Sequence, residues 1–159
     1  MKPLHPIVVH FPIALLPMSV AADTIGLFGH IVSLSHTAVW TILAAAAASL
    51  ATVAAGFYDM SRAPLSENTH VRVHRHMRVG LALAAAIIGL ATWRGLIYLH
   101  GGTIPIYYLD LSVLCVALAA FQGWLGGELV YGDAVFVRAG DVSPANEADQ
   151  TNESAGHHH

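Results

Sequence analysis

Four long apolar runs dominate the chain, at about 6–28, 36–58, 76–99 and 106–131. Each holds at least the ~20 residues that an α-helix needs to cross a hydrocarbon layer. Inside lipid every backbone N–H and C=O must be satisfied by the protein itself, which leaves helices or closed barrels. Runs this long read as helices. The charge agrees: only 11% of residues are charged, 55% are hydrophobic and the mean hydropathy is +0.59. Such a chain has too little polar surface to cover a globule in water. An integral membrane protein surrounded by lipid is therefore expected.

The connections are about 7, 17 and 6 residues long. Short connections force neighbouring helices antiparallel. The expected fold is all-α, an up-down-up-down four-helix transmembrane bundle over 1–138. The remainder, 139–159, is polar and acidic without periodicity and is expected to be a disordered tail. Its end, His157-His158-His159 after Gly156, has the look of a purification tag. The first run carries Asp23 and three prolines and has little basic start, so it reads as a retained helix rather than a signal peptide. Pro6 suits a first helical turn with His5 at the cap, whereas Pro12 and Pro17 would bend the helix.

Small residues punctuate the spans. Five alanines run from Ala44 to Ala48, and Gly123 and Gly127 stand in small-xxx-small spacing. Such spacing lets helix backbones approach closely, inside one bundle or across a homodimer. Internal packing is the plainer of the two readings. The lone Cys115 excludes a disulfide framework and a C-x-x-C-H haem attachment. It reads as a small buried apolar residue.

Lys2, Arg62, Arg72, Arg75, Arg78 and Arg138 all fall on the side that holds the N-terminus. Only Arg94 lies toward the other side. Basic residues accumulate on the cytoplasmic face, so both termini are expected there. No basic cluster points to nucleic acid.

Histidine is the residue that suggests chemistry. His5, His10, His70, His74 and His76 gather on the N-terminal side; His30, His36 and His100 lie on the other. The first group comes from the starts of the first and third spans. In an up-down bundle these run parallel and sit diagonally across the core. Two imidazoles at one depth on such helices can clamp a flat macrocycle, and imidazole is a common haem-iron ligand.

Helical geometry chooses among them. His74 and His76 are two residues apart, roughly 200° around a helix, so they cannot both face inward. His76 shares a face with Gly80, Leu83, Ile87 and Arg94, and is taken as the inward one. Gly80, one turn below, would leave room for a porphyrin edge. His5 and Asp23 are 18 residues apart, as are His76 and Arg94. That is five turns, roughly 27 Å of rise. An acid and an arginine inside a membrane are expensive unless paired. If Asp23 pairs with Arg94, His5 and His76 should face each other. A kink at the prolines would bring His10 inward instead, so both His5 and His10 stand opposite His76.

Blander readings exist for each group. A histidine near the interface is often only wetted. His70 and His74, with Asp59 or Glu67, could form part of a zinc or copper site. His36 and His100 could hold a second haem. Arg72, Arg75 and Arg78 could neutralise haem propionates or simply lie on the cytoplasmic surface. Glu128 and Tyr131 could line a quinone or proton route.

The opening string, His5-Pro6-Ile7-Val8-Val9-His10-Phe11-Pro12-Ile13-Ala14-Leu15-Leu16, resembles the first motif of the family called "domain of unknown function 2231", bacterial membrane proteins. Asp23, the stretch Gly56 to Asp59, the pair His76 and Gly80, and the run Gly123 to Tyr131 resemble its later motifs. After Tyr131 a less glycine-rich ending follows. Some relatives keep the positions like His5 and His76 but not the one like His10. Others are fused to Rieske iron–sulfur or cytochrome modules. The resemblance therefore implies a redox setting, with a quinone, a Rieske protein or a cytochrome as partner. The expectation is a small b-type cytochrome or haem-binding redox subunit, an electron carrier more than a stand-alone enzyme. Haem b would be held by His76 and by His10 or His5. The alternatives are a zinc or copper protein using the same histidines, and a membrane partner subunit without cofactor.

Overall fold

The computed structural model describes residues 4–62 and 67–131, with side chains described for 4–62 and 73–127. It is helical in five pieces: α1 (His5–Val8), α2 (His10–Phe28), α3 (Val32–Met60), α4 (Glu67–Leu99) and α5 (Ile106–Tyr131). α1 and α2 are one span, interrupted at Val9. The spans His5–Phe28, Val32–Met60, Val73–Leu99 and Ile106–Gly127 are each long and apolar enough to cross a membrane. The expected tail, together with Lys2 and Arg138, lies outside the described residues.

The break in the first span has a local cause. Pro12 has no N–H to give to the Val8 carbonyl, and its ring crowds that carbonyl. The helix therefore opens one turn earlier, where Ile13 N reaches Val9 O only at 3.5 Å. Pro17 lies inside α2 without ending it.

Two reversals are sharp for a readable reason. After α2, Ile31 N donates to Gly26 O at 2.9 Å, with His30 in the left-handed region at φ 54°. After α4, Gly102 N donates to Ile97 O at 2.9 Å and Gly101 N to Tyr98 O at 3.2 Å, with Gly101 at φ 63°. Both carry the six-to-one bond of a Schellman stop, which spends the last helical carbonyls and turns the chain back. Pro105 then precedes α5.

Two spans are longer than their apolar runs. α3 begins at Val32 rather than near 36, and α4 begins at Glu67 rather than near 76. Hydropathy marks only the part that prefers lipid, while a helix continues into water wherever residues tolerate it. At 33 residues α4 is about 50 Å long, well beyond a ~30 Å hydrocarbon layer.

Each span packs against its chain neighbours, and α2 also packs against α5, which closes the ring. α2 and α4 are thus diagonal across the core. All four spans supply that core, through Leu16, Ile42, Ile87, Leu90, Tyr108 and Cys115 among others. Ser19 Oγ ties α2 to α3 by donating to Ala38 O at 2.9 Å. Many large apolar side chains face outward, including Phe28, Trp40, Leu99 and Trp124. A water-soluble monomer rarely shows so much, and a bilayer would cover it.

Candidate functional site

Between the diagonal helices lie two polar contacts, one at each end. At the far end Arg94 of α4 grips Asp23 of α2. Its Nη2 donates to Asp23 Oδ1 at 2.8 Å and its Nε to Oδ2 at 3.0 Å. Nη2 also donates to Ser35 Oγ at 2.7 Å. Arg94 and Asp23 are 2% and 1% exposed. Two opposite charges in a low-dielectric core hold only when paired and bonded in this way.

Five turns away, at the end holding the chain start, His5 of α1 meets His76 of α4. Their ring centroids are 6.1 Å apart and the rings are nearly perpendicular. The 18-residue spacings of the two pairs thus appear in space as two diagonal contacts.

His5 is held from three directions. Asp59, at the end of α3, accepts from Leu4 N at 3.1 Å and His5 N at 2.7 Å, and so caps α1 from another helix. His5 Nδ1 lies 3.1 Å from Thr52 O, a geometry in which Nδ1–H donates and Nε2 keeps its lone pair. Gly56 provides the space, since a Cβ there would stand 3.2 Å from Nδ1.

His76 is held differently. Gly126 makes room for it, because a Cβ there would stand 3.1 Å from Cε1. Gln122 of α5 covers it: Nε2 lies 3.1 Å from Nδ1, 3.3 Å from the ring Nε2, and donates to His76 O at 2.7 Å. Gln122 is 9% exposed, and its Oε1 is buried without a partner.

Both rings line a cavity of about 520 Å³ that takes its walls from every span. That volume falls within the usual range of small-molecule sites. The walls are mostly apolar, and the polar side chains are those of His5, His10, Ser49, Thr52, Asp59, His76 and Gln122. Gly123 and Gly127 also line it, and a Cβ on either would meet nothing within 4 Å. Inside the bundle these glycines face open cavity rather than a close helix contact.

The other expected residues are placed as follows. His10 lines the cavity but is exposed, and the ring that meets His76 is that of His5. His74 is half-buried and does not line the cavity; Arg75 is exposed. Gly80 lines it, but the space above it holds the Gln122 amide rather than a clear slot: a Cβ at Gly80 would stand 2.9 Å from Gln122 Nε2. The side chains of Arg72, His70, Glu67, Glu128 and Tyr131 lie outside the described residues. Asp59, offered as a metal ligand, is engaged as the α1 cap. Among the described residues, no three His, Cys, Asp or Glu side chains are grouped to hold a metal ion. The suggested His36–His100 pair has separate partners: His36 stacks edge-on against Tyr98, and His100 Nδ1 meets Leu96 O at 2.8 Å.

Sequence reasoning missed Gln122 and the capping role of Asp59. Gln122 did carry a signal, since an amide within an apolar span needs a reason to be there. The Asp59 cap carried none, because it links positions 55 residues apart. No curated protein and no solved structure matches the chain. A family model described as "predicted membrane protein (DUF2231)" matches residues 1–139, which covers every feature above, and the chain belongs to that family.

Proposed function

We propose that this protein binds haem b between His5 and His76 and serves as a small electron-transfer subunit of a bacterial inner membrane. The observation that carries the reading is the His5–His76 pair itself. Two iron–nitrogen bonds of about 2 Å, like other imidazole–metal bonds, separate coaxial imidazole centroids by roughly 6 Å, and these rings stand 6.1 Å apart. Rotation about an iron–nitrogen axis leaves the nitrogen in place, so the perpendicular planes are compatible with ligation.

Three features of the surroundings support the reading. His5 gives one ring nitrogen to a backbone carbonyl, the usual way a protein fixes a ligating imidazole. The cavity beside the pair is apolar, and glycine backbone borders it at 123, 126 and 127. Gln122 Oε1 is a buried acceptor that awaits a donor.

Bound there, haem would supply one-electron chemistry, and two strong axial ligands would favour electron transfer over oxygen binding. The chain's own work is to hold two imidazoles at one depth, keep water from an apolar pocket and set the ligands' basicity through their second nitrogens. The basic residues on the same side support a cytoplasmic position for both termini. A quinone, a Rieske protein or a cytochrome would exchange the electron, and a second copy of the chain could pair through the outer faces.

The test is an absorption spectrum of detergent-purified protein, oxidised and reduced, from haem-replete cells. A Soret band with a reduced α-band supports the reading. A missing Soret band, with zinc or copper by elemental analysis, favours the metal alternative. Neither haem nor metal, with partner activity unchanged after joint replacement of His5, His10 and His76, favours a cofactor-free subunit.

A further inference from the structure

The cavity has an open side, and helical geometry says which. On the first span, Ser19 Oγ donates to Ala38 O, and a Cβ at Gly26 would stand 3.1 Å from Ser35 N. That edge of the span belongs to α3. Pro6, His10 and Ile13 line the cavity from the opposite edge, toward α5, and all three are exposed.

On α5 the same reasoning applies. Gln122 Nε2 donates to His76 O of α4 at 2.7 Å, and a Cβ at Gly126 would stand 3.1 Å from the His76 ring. That edge belongs to α4. Gly123 and Gly127 each follow one residue later, about 100° further round the helix. Leu109, five turns before Gly127 on the same side, is buried. This edge therefore faces a neighbouring helix, and the neighbour is α2, against which α5 packs. Yet a Cβ on Gly123 or Gly127 would meet nothing within 4 Å. The seam between the first and last spans is open here.

The seam lies at membrane depth, since all five residues belong to the membrane-crossing spans. Its edges are apolar apart from His10, and their chain neighbours Phe11 and Trp124 are exposed. The gap faces lipid rather than water. Nor is the space behind it a packing flaw. It is lined by two facing imidazoles and by Gln122, a side chain 9% exposed whose Oε1 has no partner. A buried polar atom left without a partner calls for an explanation, and a guest in the cavity is one.

We propose that this seam is a lateral portal, through which a flat, lipid-soluble guest enters the cavity sideways from the bilayer. Pro6, His10 and Ile13 form one jamb, and Gly123 and Gly127 the other. The two glycines keep the passage clear, because any side chain on them would stand in it. His10 gains a use as well: an imidazole exposed at this depth is costly in lipid unless a guest's polar edge engages it. The guest is the haem proposed above, and its identity rests on that reading. The opening toward lipid does not.

The first arm of the experiment needs no haem. Gly123→Cys and Gly127→Cys, each in a full-length Cys115→Ser background, carry a nitroxide label in liposomes. Electron paramagnetic resonance then reads collisions with oxygen, which concentrates in lipid, and with a water-soluble nickel chelate. Strong relaxation by oxygen and weak relaxation by nickel is the expected result. Relaxation mainly by nickel means an opening to water, and weak relaxation by both means a closed seam. Either would overturn the portal.

The second arm follows haem uptake from haem-containing vesicles by the Soret band. Gly123→Phe and Gly127→Phe should slow uptake several-fold. Gly89→Phe is the control, since Gly89 also has open space around it but does not line the cavity. It should load like wild type. Far-ultraviolet dichroism establishes that each variant is folded, and if a phenylalanine variant is not, the nitroxide arm decides. Uptake unchanged in both plugged variants, or slowed equally by Gly89→Phe, would overturn the portal. A wild type that takes up no haem would defeat the proposed function while leaving the nitroxide result to stand.

Discussion

Removing Asp23 tests the frame on which the site depends. Asp23→Ala leaves the Arg94 guanidinium buried, with only Ser35 O and Oγ to accept from it, at 3.1 and 2.7 Å. Breaking a buried pair by deleting one partner costs about 3–5 kcal/mol. Coulomb's law agrees: two unit charges ~4 Å apart at an effective dielectric of 20 attract by about 4 kcal/mol. Ser35 offsets part of this, so about 3 kcal/mol is expected. The assay is reversible unfolding in mixed micelles, with rising SDS fraction, followed by circular dichroism. Replacing both partners removes the stranded charge, so Asp23→Leu with Arg94→Leu should recover all but about 1 kcal/mol. A cost below about 1 kcal/mol for Asp23→Ala would refute the buried clasp. So would a double variant no better than the single one.

Other perturbations read different parts of the site. Asp59→Ala uncaps α1 and should cost about 1 kcal/mol, as lost helix caps do, in the same unfolding assay. Gly56→Val and Gly126→Val put bulk 3.2 and 3.1 Å from the His5 and His76 rings at the first carbon alone. Each should lower haem content in purified protein several-fold while far-ultraviolet dichroism stays helical. Cys115 is 3% exposed, so a water-soluble maleimide should label it only after unfolding, as mass spectrometry would show.

Much of the architecture is legible in the chain because lipid imposes a simple rule on each span. The apolar runs mark the helices, and equal 18-residue spacings link His5 to Asp23 and His76 to Arg94. That arithmetic works although the first span is interrupted at Val9. Charge expense then selects the clasp, and the clasp predicts the imidazole contact. What is not legible is tertiary. The interruption at Val9 comes from Pro12 acting one turn back, and the ring against His76 is that of His5, not His10. The Asp59 cap joins the ends of two helices that sequence spacing cannot relate. Gln122 fills the gap expected to admit a porphyrin edge beside Gly80, because a side chain on α5 reaches a backbone opening on α4. The polar start of α4 escapes hydropathy since Val71 is its only apolar residue between Glu67 and Arg72.

The most direct measurement is electron paramagnetic resonance of the oxidised haem-loaded protein and its single histidine variants. The account predicts a low-spin bis-imidazole signal in the wild type. That signal should be lost in His5→Ala and His76→Ala and retained in His10→Ala. Bis-imidazole ligation that survives His5→Ala, or none in a haem-loaded wild type, would contradict it.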